Sequence, residues 1–387
     1  MVSHLYTANL CNSRVLLRAD LNITLVNNKI AGDFRLRQLK PTLDLLIAKQ
    51  ARIILATHIG RPNGYQEDLS TKVIADWLEE HGYSVILESD LARAYDQSFT
   101  IQPGSILLLE NLRFFAGEQT QDNTFAHELA RLGDYYVNDA FGLLHRADTS
   151  VTLVPQLFKH SCKSIGLLIE KELASFKHID TAPEQPFVML IGGGKVKDKL
   201  PFIDVLIDKA STILLCPALV FTFSATLGKN VGKSIVEPEV LDHARQIITK
   251  AEQRGVVLQF PVDYQVALGD MNGKLEYTNT DNIPDDAVGI AIGPKTVELY
   301  VKELKRAKTV FVNGAMGFFD RPETMHALYT LLKTIAQSNA YSVIGGGESV
   351  TAVYKQGLEK GITFCSTGGG AALALLTGAP LPGLAYM

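Results

Sequence analysis

The chain has 387 residues, of which 47% are hydrophobic and 20% are charged, and its formal net charge at pH 7 is -4. This length predicts two or three domains, with two as the working number, and the apolar content excludes a disordered chain. The slightly negative charge argues against a broad basic surface for nucleic acid or for an anionic membrane.

Short runs rich in Val, Ile and Leu recur in the first half of the chain, at residues 15–17, 52–56, 105–109 and 135–137. Longer stretches with helical periodicity separate these runs. This alternation predicts a parallel sheet with crossover helices.

The stretch 170–179 predicts a helix that connects two domains. Leu173 and Phe176 lie on one side of it, and charged residues are available to solvent on the other. The strand pattern then restarts with runs at 187–191, 212–215, 256–260, 288–292, 309–312, 341–344 and 362–365. The predicted fold class is therefore α/β, with two doubly wound parallel-sheet domains.

The tail after Lys360 carries no charge, but glycine and proline interrupt it too often for a membrane span. We expect buried backbone and a short helix there. Residues 1–20 lack the features of a signal peptide, which makes the cytoplasm the expected location. The cysteines lack the spacings of a zinc site or a redox dithiol, so we expect buried free thiols in a reducing cytosol. They are Cys11, Cys162, Cys216 and Cys365.

Polar and basic residues follow the predicted strands of the first half. Ligands of open α/β sheets bind outside the carboxyl ends of the strands. Arginine presents a rigid fork of donors to phosphate or carboxylate oxygens, so several arginines at this edge indicate a small, multiply charged anion. Any one arginine alone could equally form a surface ion pair, and His58 alone would more often be structural. The candidates are Arg18, Asp20, Asn22, His58, Arg61, Asn111, Arg113, Asn138, Asp139 and Arg146.

Asp20 and Asn22 have two readings: they orient arginines, or they accept protons from substrate hydroxyls. General-base catalysis is the less favoured role, because an acyl phosphate already carries an ionised nucleophile or leaving group.

The second half places glycines after its strands, at 192–194 before Lys195, at 314 after Asn313, at 345–347 and at 368–370. Glycine lets backbone N–H groups approach phosphate oxygens, and a helix that starts there adds a favourable dipole. Three strand-Gly-Gly-Gly segments therefore indicate nucleotide phosphates. By contrast, GKNVGKS at 228–234 is one residue short of a P-loop and does not directly follow the expected strand. The sequence also lacks the dinucleotide fingerprint, the serine-hydrolase elbow and the zinc-protease helix motif.

Eight segments in order resemble the successive signatures of the phosphoglycerate kinase family and cover nearly the whole chain. They are VLLRADLN, THIGRP, LLENLRF, VNDAFG, LIGGGKVKDK, FVNGAMGFFD, VIGGGES and STGGGAALALL. The resemblance implies reversible Mg²⁺-dependent phosphoryl transfer between ATP and the carboxylate of 3-phosphoglycerate, in glycolysis and gluconeogenesis. It also implies a usually monomeric, hinge-bending protein whose two domains face a central cleft.

The resemblance assigns residues 1–167 to the 3-phosphoglycerate domain, 168–371 to the nucleotide domain and 372–387 to a segment that returns to the first domain. It implies that Arg35 faces the transferred phosphoryl group and that Lys195 and Lys199 are catalytic with it. The implied 3-phosphoglycerate site comprises Arg18, Asp20, Asn22, Arg35, His58, Arg61, Arg113 and Arg146. The implied nucleotide site comprises Gly193, Gly194, Lys195, Lys199, Asn313, Asp320, Gly345, Gly346, Gly347, Glu348 and Ser349, with Glu348 in contact with Mg²⁺.

The sequence departs from the family pattern at three places. Glu348 stands where the family usually has Asp, Ala315 replaces the usual Pro, and Cys216-Pro217-Ala218 replaces a Gly-rich stretch that borders the adenine pocket. Two other functions stay open at this point: a catalytically weak relative that acts as a scaffold, and a generic sugar or nucleotide transferase on the same architecture.

Overall fold

The computed structural model describes residues 5–314 and 316–387, which form two compact units. Unit 1 extends to Ala174 and includes the returning tail Ala379–Met387. Unit 2 comprises Ser175–Gly378. The chain thus crosses between the units at 174/175 and 378/379, later than the boundaries at 167/168 and 371/372 that the sequence suggested.

The elements of unit 1 alternate between strands and helices. In chain order they are β1 Arg14–Ala19, β2 Leu25–Val26, β3 Lys29–Ile30, α1 Phe34–Ala48, β4 Arg52–Ala56, α2 Lys72–Glu80, β5 Val85–Glu88, α3 Leu91–Thr100, β6 Ile106–Leu109, α4 Asn123–Ala130, β7 Tyr135–Asp139, α5 Thr149–Thr152 and β8 Lys163–Ile165. Helix α6, Leu167–Thr181, follows and contains the first crossing between the units. It confirms the helix predicted at 170–179.

The described part of unit 1 is built on a parallel six-stranded sheet with the order β5-β6-β4-β1-β7-β8. Successive residues of one strand enter different cores: Val15 and Leu17 belong to one hydrophobic cluster, and Leu16 belongs to the other. Because side chains alternate across a strand, these clusters cover opposite faces of the sheet. This double coverage explains why the strands read as continuous apolar runs.

Unit 2 contains the remaining elements of regular structure. They are α7 Val196–Leu206, α8 Leu219–Thr226, α9 Leu241–Arg254, α10 Pro294–Arg306, α11 His326–Ala336, α12 Gly347–Lys355 and α13 Gly369–Leu376, with strands β9 Phe187–Ile191, β10 Thr212–Leu215, β11 Val257–Gln259, β12 Tyr264–Leu268, β13 Leu275–Tyr277, β14 Ala287–Ile292, β15 Thr309–Asn313, β16 Tyr341–Gly345 and β17 Phe364–Cys365.

The described strands of the larger sheet of unit 2 have the order β11-β10-β9-β15-β16-β17 and are all parallel. From β9 the chain adds strands first toward one edge of the sheet, and from β15 it adds them toward the other edge. In doubly wound folds a crevice for ligands opens at such a switch point. The two doubly wound sheets confirm the predicted fold class.

The structure corrects the sequence-based assignment at several strands. The run at 288–292 lies in a separate antiparallel sheet with the order β13-β12-β14, because β12 pairs with it directly. Apolar content alone does not distinguish an antiparallel strand from a parallel one. Strands β5 and β8 were not predicted from sequence. They lie at the two edges of the unit 1 sheet, where β5 is only partly buried.

The uncharged tail contributes helix α13 and then a 3-10 turn, Pro382–Leu384, which packs in unit 1. Within residues 5–314 and 316–387, no helix is both long enough and apolar enough to cross a membrane. The expectation of buried thiols holds for Cys216 and Cys365, whereas Cys11 is exposed and Cys162 is half-buried.

Candidate functional site

Asp20 and Arg35 form an ion pair at the carboxyl end of the central strand of unit 1. Asp20 directly follows β1, and Arg35 lies in the first turn of α1 and donates from Nη1 to the carboxylate. Burial would raise the pKa of Asp20, but the positive charges of Arg35 and Arg18 outweigh it and lower that pKa below its usual value. Asp20 therefore stays ionised and holds Arg35, whose side chain is 26% exposed.

Arg18 lies beneath this pair and does not face solvent. Its Nε donates to Ser150 Oγ at 2.6 Å, and its Nη2 lies 3.2 Å from Glu118 Oε1. Only 1% of the Arg18 side chain is exposed, and that of Glu118 is fully buried. The guanidinium of Arg18 is therefore engaged inside the protein, and its contact with a ligand stays a prediction. Burial raises the pKa of Glu118, and Arg18 opposes that rise.

His58 is also buried at this edge of the sheet, 3.4 Å from Arg18 Nη2 through its Nδ1 atom. Burial lowers its pKa well below the usual range, and nearby arginines lower it further. The imidazole is therefore neutral at pH 7. Because a guanidinium only donates, Nδ1 is the acceptor and the ring proton lies on Nε2.

The loops after β1, β4 and β6 are linked through Gly60. Asn22 Oδ1 accepts from the Gly60 N–H at 2.8 Å, and Arg113 Nη1 donates to the Gly60 carbonyl. The remaining Arg113 nitrogens, Nε and Nη2, are buried and have no hydrogen-bond partner among the described residues. The nearest carboxylate, that of Asp148, is 3.9 Å from Nη2, beyond hydrogen-bond distance. Two donors of Arg113 are therefore unsatisfied within unit 1, although only 1% of its side chain is exposed.

Arg61 and Arg146 complete the predicted set. Arg61 is exposed and directly follows Gly60, and Arg146 is half-buried just after the turn that β7 leads into. The charge of Arg146 acts on Arg113, whose pKa is lowered first by burial and then by this neighbour. The negative charge of Asp148 opposes this lowering of the Arg113 pKa.

Gly142 is a residue of this site that sequence analysis missed. It lies in the 3-10 turn Phe141–Leu143, within the VNDAFG segment. A Cβ atom at this position would overlap Oδ2 of Asp20 and would lie 3.4 Å from Nη1 of Arg35. The turn after β7 therefore needs a glycine so that it can pack against the ion pair. Its place in the motif was the only signal in the sequence.

The switch point of the unit 2 sheet brings together Lys199 of α7 and Asn313 at the end of β15. Lys199 Nζ donates to Asn313 Oδ1, and Asn313 is buried. Burial lowers the pKa of Lys199, while the negative charges of Asp198 and Glu348 raise it.

Glycines allow the backbone segments of this region to approach closely. Gly314 has φ +96, and a Cβ there would overlap the carbonyl of Gly192. The N–H of Gly192 donates to Asn313, and that of Gly193 donates to Pro217, both at 3.0 Å or less. The N–H of Gly193 is therefore already occupied, which makes Gly194 the better candidate for a backbone contact to phosphate.

Lys195 occupies the position before α7 with φ 57, in the left-handed region, and is exposed. The first N–H groups of the helix donate to Glu237, from Val196 at 2.7 Å and from Lys197 at 3.0 Å. Glu237 was not predicted from sequence. It occupies N–H groups at the start of α7 that would otherwise be open to an anion.

The third glycine turn leads from β16 into α12. Gly347 and Glu348 are exposed there, whereas Gly345 is buried and Gly346 is half-buried. Ser349 is fully buried. Asp320 is exposed in a turn after β15. The departure at Ala315 lies outside the described residues.

Of the three residues that replace the Gly-rich stretch, only Ala218 is partly exposed; Cys216 and Pro217 are buried. The GKNVGKS segment, rejected as a P-loop, is tied into the protein: Lys229 pairs with Asp281 at 2.7 Å, and Lys233 donates to the carbonyl of Gly269 at 3.0 Å. Neither lysine is positioned as a P-loop lysine.

The described residues contain no group of three or more His, Cys, Asp or Glu side chains that could hold a metal ion. A single exposed carboxylate beside a phosphate-facing turn, as at Glu348, fits Mg²⁺ that arrives with a nucleotide, because Mg²⁺ commonly uses one or two carboxylates together with phosphate oxygens.

The fold and the two residue clusters together define a two-unit α/β protein whose strand ends suit small phosphorylated ligands. A family model described as phosphoglycerate kinase matches residues 5–379. The chain therefore belongs to the phosphoglycerate kinase family.

Curated relatives support this assignment over nearly the full length. Phosphoglycerate kinase of Dictyoglomus turgidum is 39% identical over 384 residues, covering 98% of this chain and 96% of the relative. That of Leptospira biflexa is 40% identical over 381 residues, covering 97% and 96%. Among solved structures, phosphoglycerate kinase from Pyrococcus horikoshii has a TM-score of 0.86 at 29% identity, covering 99% of this chain and 98% of that one.

Proposed function

We propose that this protein catalyses reversible Mg²⁺-dependent phosphoryl transfer between ATP and the carboxylate of 3-phosphoglycerate, giving ADP and 1,3-bisphosphoglycerate. The observation that carries the proposal is the family match over residues 5–379, which contains every residue of both clusters. The scaffold and the generic transferase are weaker readings, because neither requires the arginine set of unit 1 and the lysine and glycine set of unit 2 in one chain.

In the proposed reaction, 3-phosphoglycerate binds to unit 1. The unpartnered nitrogens of Arg113 offer donors to its phosphate, together with Arg61 and Arg146. Arg35 is held by Asp20 at the side of the pocket and stabilises negative charge on the phosphoryl group during transfer. Arg18 and His58 act from beneath the pocket, where they support the loops.

The nucleotide binds to unit 2 at the switch point of its sheet. Lys199 is pre-positioned by Asn313, and the exposed Lys195 supplies a second positive charge for the phosphates. The exposed turn of Gly347 and Glu348 offers backbone N–H groups at the start of α12. Glu348 contacts the Mg²⁺ of the nucleotide, which neutralises charge on the phosphates.

A coupled assay with ATP, Mg²⁺ and 3-phosphoglycerate tests the proposal. We expect ADP formation that requires all three components. Arg35→Ala/Lys199→Ala, purified in parallel, controls for a contaminating kinase from the expression host. Nucleotide binding without turnover above this control would favour the scaffold, and turnover with a different acceptor would favour the generic transferase. Light scattering and fractionation of the source cells test the proposed monomeric state and cytoplasmic location.

A further inference from the structure

The end of β7 is hydrogen-bonded to both segments through which the chain passes between the units. Asn138 and Asp139 are neighbours at this strand end, and both side chains are fully buried. Asp139 contacts the start of α6, the helix that contains the crossing at 174/175. Asn138 contacts the tail Ala379–Met387, which follows the crossing at 378/379.

The Asp139 carboxylate is linked to α6 in two ways. Its Oδ1 accepts from the N–H of Ile169 at 3.1 Å, and its Oδ2 accepts from the hydroxyl of Thr42 at 2.5 Å. The same Thr42 hydroxyl accepts from the N–H of Leu167 at 3.1 Å. A Cβ on Gly166 would overlap the Asp139 carboxyl group, so the chain passes directly over it. Asp139 and Thr42 together therefore cap the first turn of α6.

The side chain of Asn138 is hydrogen-bonded to the returning tail. Its Nδ2 donates to the carbonyl of Gly383 at 3.1 Å, and its Oδ1 accepts from the N–H of Ala140 at 3.1 Å. The N–H of Gly383 donates to the carbonyl of Leu144 at 3.0 Å. A Cβ on Gly383 would lie 2.9 Å from Leu144 and 3.0 Å from Val151, so a side chain there would require these neighbours or the tail to shift.

The residues that follow Asp139 reach the candidate site within one turn. Gly142 packs against Asp20 and Arg35, and Arg146 donates its N–H to the carbonyl of Leu143 at 2.8 Å. One short buried segment, 138–146, therefore contacts α6, the tail and the Asp20–Arg35 pair. This continuity gives a physical route by which a shift of either connection would reach the Asp20–Arg35 pair.

We propose that Asn138 and Asp139 are positioning residues for phosphoryl transfer. They keep the start of α6 and the tail Ala379–Met387 in fixed positions relative to the Asp20–Arg35 pair. The proposal rests on the proposed function, because transfer between ligands on different units requires that the units be correctly connected. Both side chains are buried, so they act through backbone and do not touch the reacting atoms.

Two variants release the tail by independent routes. Asn138→Asp replaces the donor to Gly383 with an acceptor, and Gly383→Ala inserts a Cβ against Leu144 and Val151. Asp139→Ala and Thr42→Val remove the cap of α6, and Thr42→Ser keeps the hydroxyl as the conservative rescue. Ser98→Ala is the matched control, since it removes a buried hydroxyl that donates to Tyr95 in the same unit but outside this segment.

We expect kcat to fall about 10-fold or more in the two tail variants and in the two variants that lack the cap of α6. Direct binding of 3-phosphoglycerate and of nucleotide should change less than about 2-fold in all four variants. Thr42→Ser should retain the wild-type kcat. A purely structural role predicts that Tm falls while kcat per folded molecule matches Ser98→Ala, and that result would overturn the proposal. Absence of turnover in the wild-type chain would instead refute the proposed function. The failure of the positioning proposal and the failure of the proposed function are therefore distinguishable.

Discussion

Arg35 donates to the carboxylate of Asp20 across fifteen residues of sequence, from the first turn of α1 to the residue after β1. The acceptor is buried and ionised, and the donor remains partly exposed. The pair is therefore neutral overall, and its guanidinium end is the part exposed at the edge of the sheet, in a fixed direction. Such preorganised charge stabilises a transition state without reorganisation during the reaction.

Replacement of Arg35 by Ala should lower kcat about 100-fold or more, because the charge that stabilises the transferred phosphoryl group is lost. Nucleotide affinity, measured by titration calorimetry, should change far less. Arg37→Ala is the control, since Arg37 lies on the same helix and pairs with Asp33 on an exposed surface. Near-normal turnover of Arg35→Ala would contradict the role, and a loss confined to thermal stability would reduce Arg35 to a structural residue.

Gly142→Ala should reduce kcat strongly, because its Cβ would displace the Asp20 carboxylate and with it Arg35. We expect about a 10-fold or larger loss, by the general sensitivity of transfer rates to misplaced groups. Gly32→Ala is the matched control, since nothing lies within 4 Å of a Cβ there. Equal kinetics for the two variants would show that the turn after β7 does not position the pair.

Glu348→Gln should raise the Mg²⁺ concentration needed for half-maximal activity, because Mg²⁺ prefers a charged oxygen ligand to an amide. The measurement is a Mg²⁺ titration at fixed total ATP. Glu298→Gln, an exposed change on α10, serves as the control. An unchanged titration would leave Glu348 as a carboxylate that stabilises the start of α12 through the helix dipole.

Glycine at positions 216–218 should alter the preference for ATP over GTP if this segment shapes the base pocket. A change of about 1–3 kcal/mol in discrimination would shift the ratio of kcat/KM values by about 5- to 150-fold. Because only Ala218 is partly exposed, Ala218→Gly tests direct contact, and the triple variant tests the backbone. If equally folded variants have the same ratio of kcat/KM for ATP to kcat/KM for GTP, the segment contributes to packing and does not shape base selection.

Stability should depend on pH through Asp139. Burial raises its pKa to about 7, against hydrogen bonds from Thr42 and α6 that lower it, and the nearby negative charge of Glu170 adds to the rise. A raised carboxyl pKa means that the folded state binds the proton more tightly. The protonated Asp139 therefore makes its full contribution to the free energy of unfolding below about pH 4, the pKa of the unfolded chain. That contribution is lost as the pH rises toward 7, the pKa in the folded state.

Asp139→Asn removes this titration while it keeps the shape of the side chain. We expect the difference in free energy of unfolding between wild type and Asp139→Asn to shift by roughly 4 kcal/mol between pH 4 and pH 8, in favour of the variant at the higher pH. Denaturant unfolding at both pH values measures it. Parallel stability curves for the two proteins would show that Asp139 does not titrate in this range.

The apolar runs and the residues after them were sufficient to predict two doubly wound sheets, the connecting helix and both clusters. These features are local: a buried parallel strand must be apolar along its length, and a ligand edge must be polar or glycine. The family resemblance depended on the same segments. Lys199 and Glu348 lie in those segments and could be named from sequence, whereas Arg35 lies outside them and was named only through the resemblance.

Only the tertiary structure decided which of these side chains are buried and which are exposed. Arg18 and Arg35 look alike in sequence, but Glu118 and Ser150, 100 and 132 residues from Arg18, enclose the first of them. Burial and pairing depend on contacts between segments that are distant in the chain, so no local pattern separates a supporting arginine from an exposed one. The pairing of β14 with β12 and the contacts of Asn138 and Asp139 with the tail and α6 were decided in the same way.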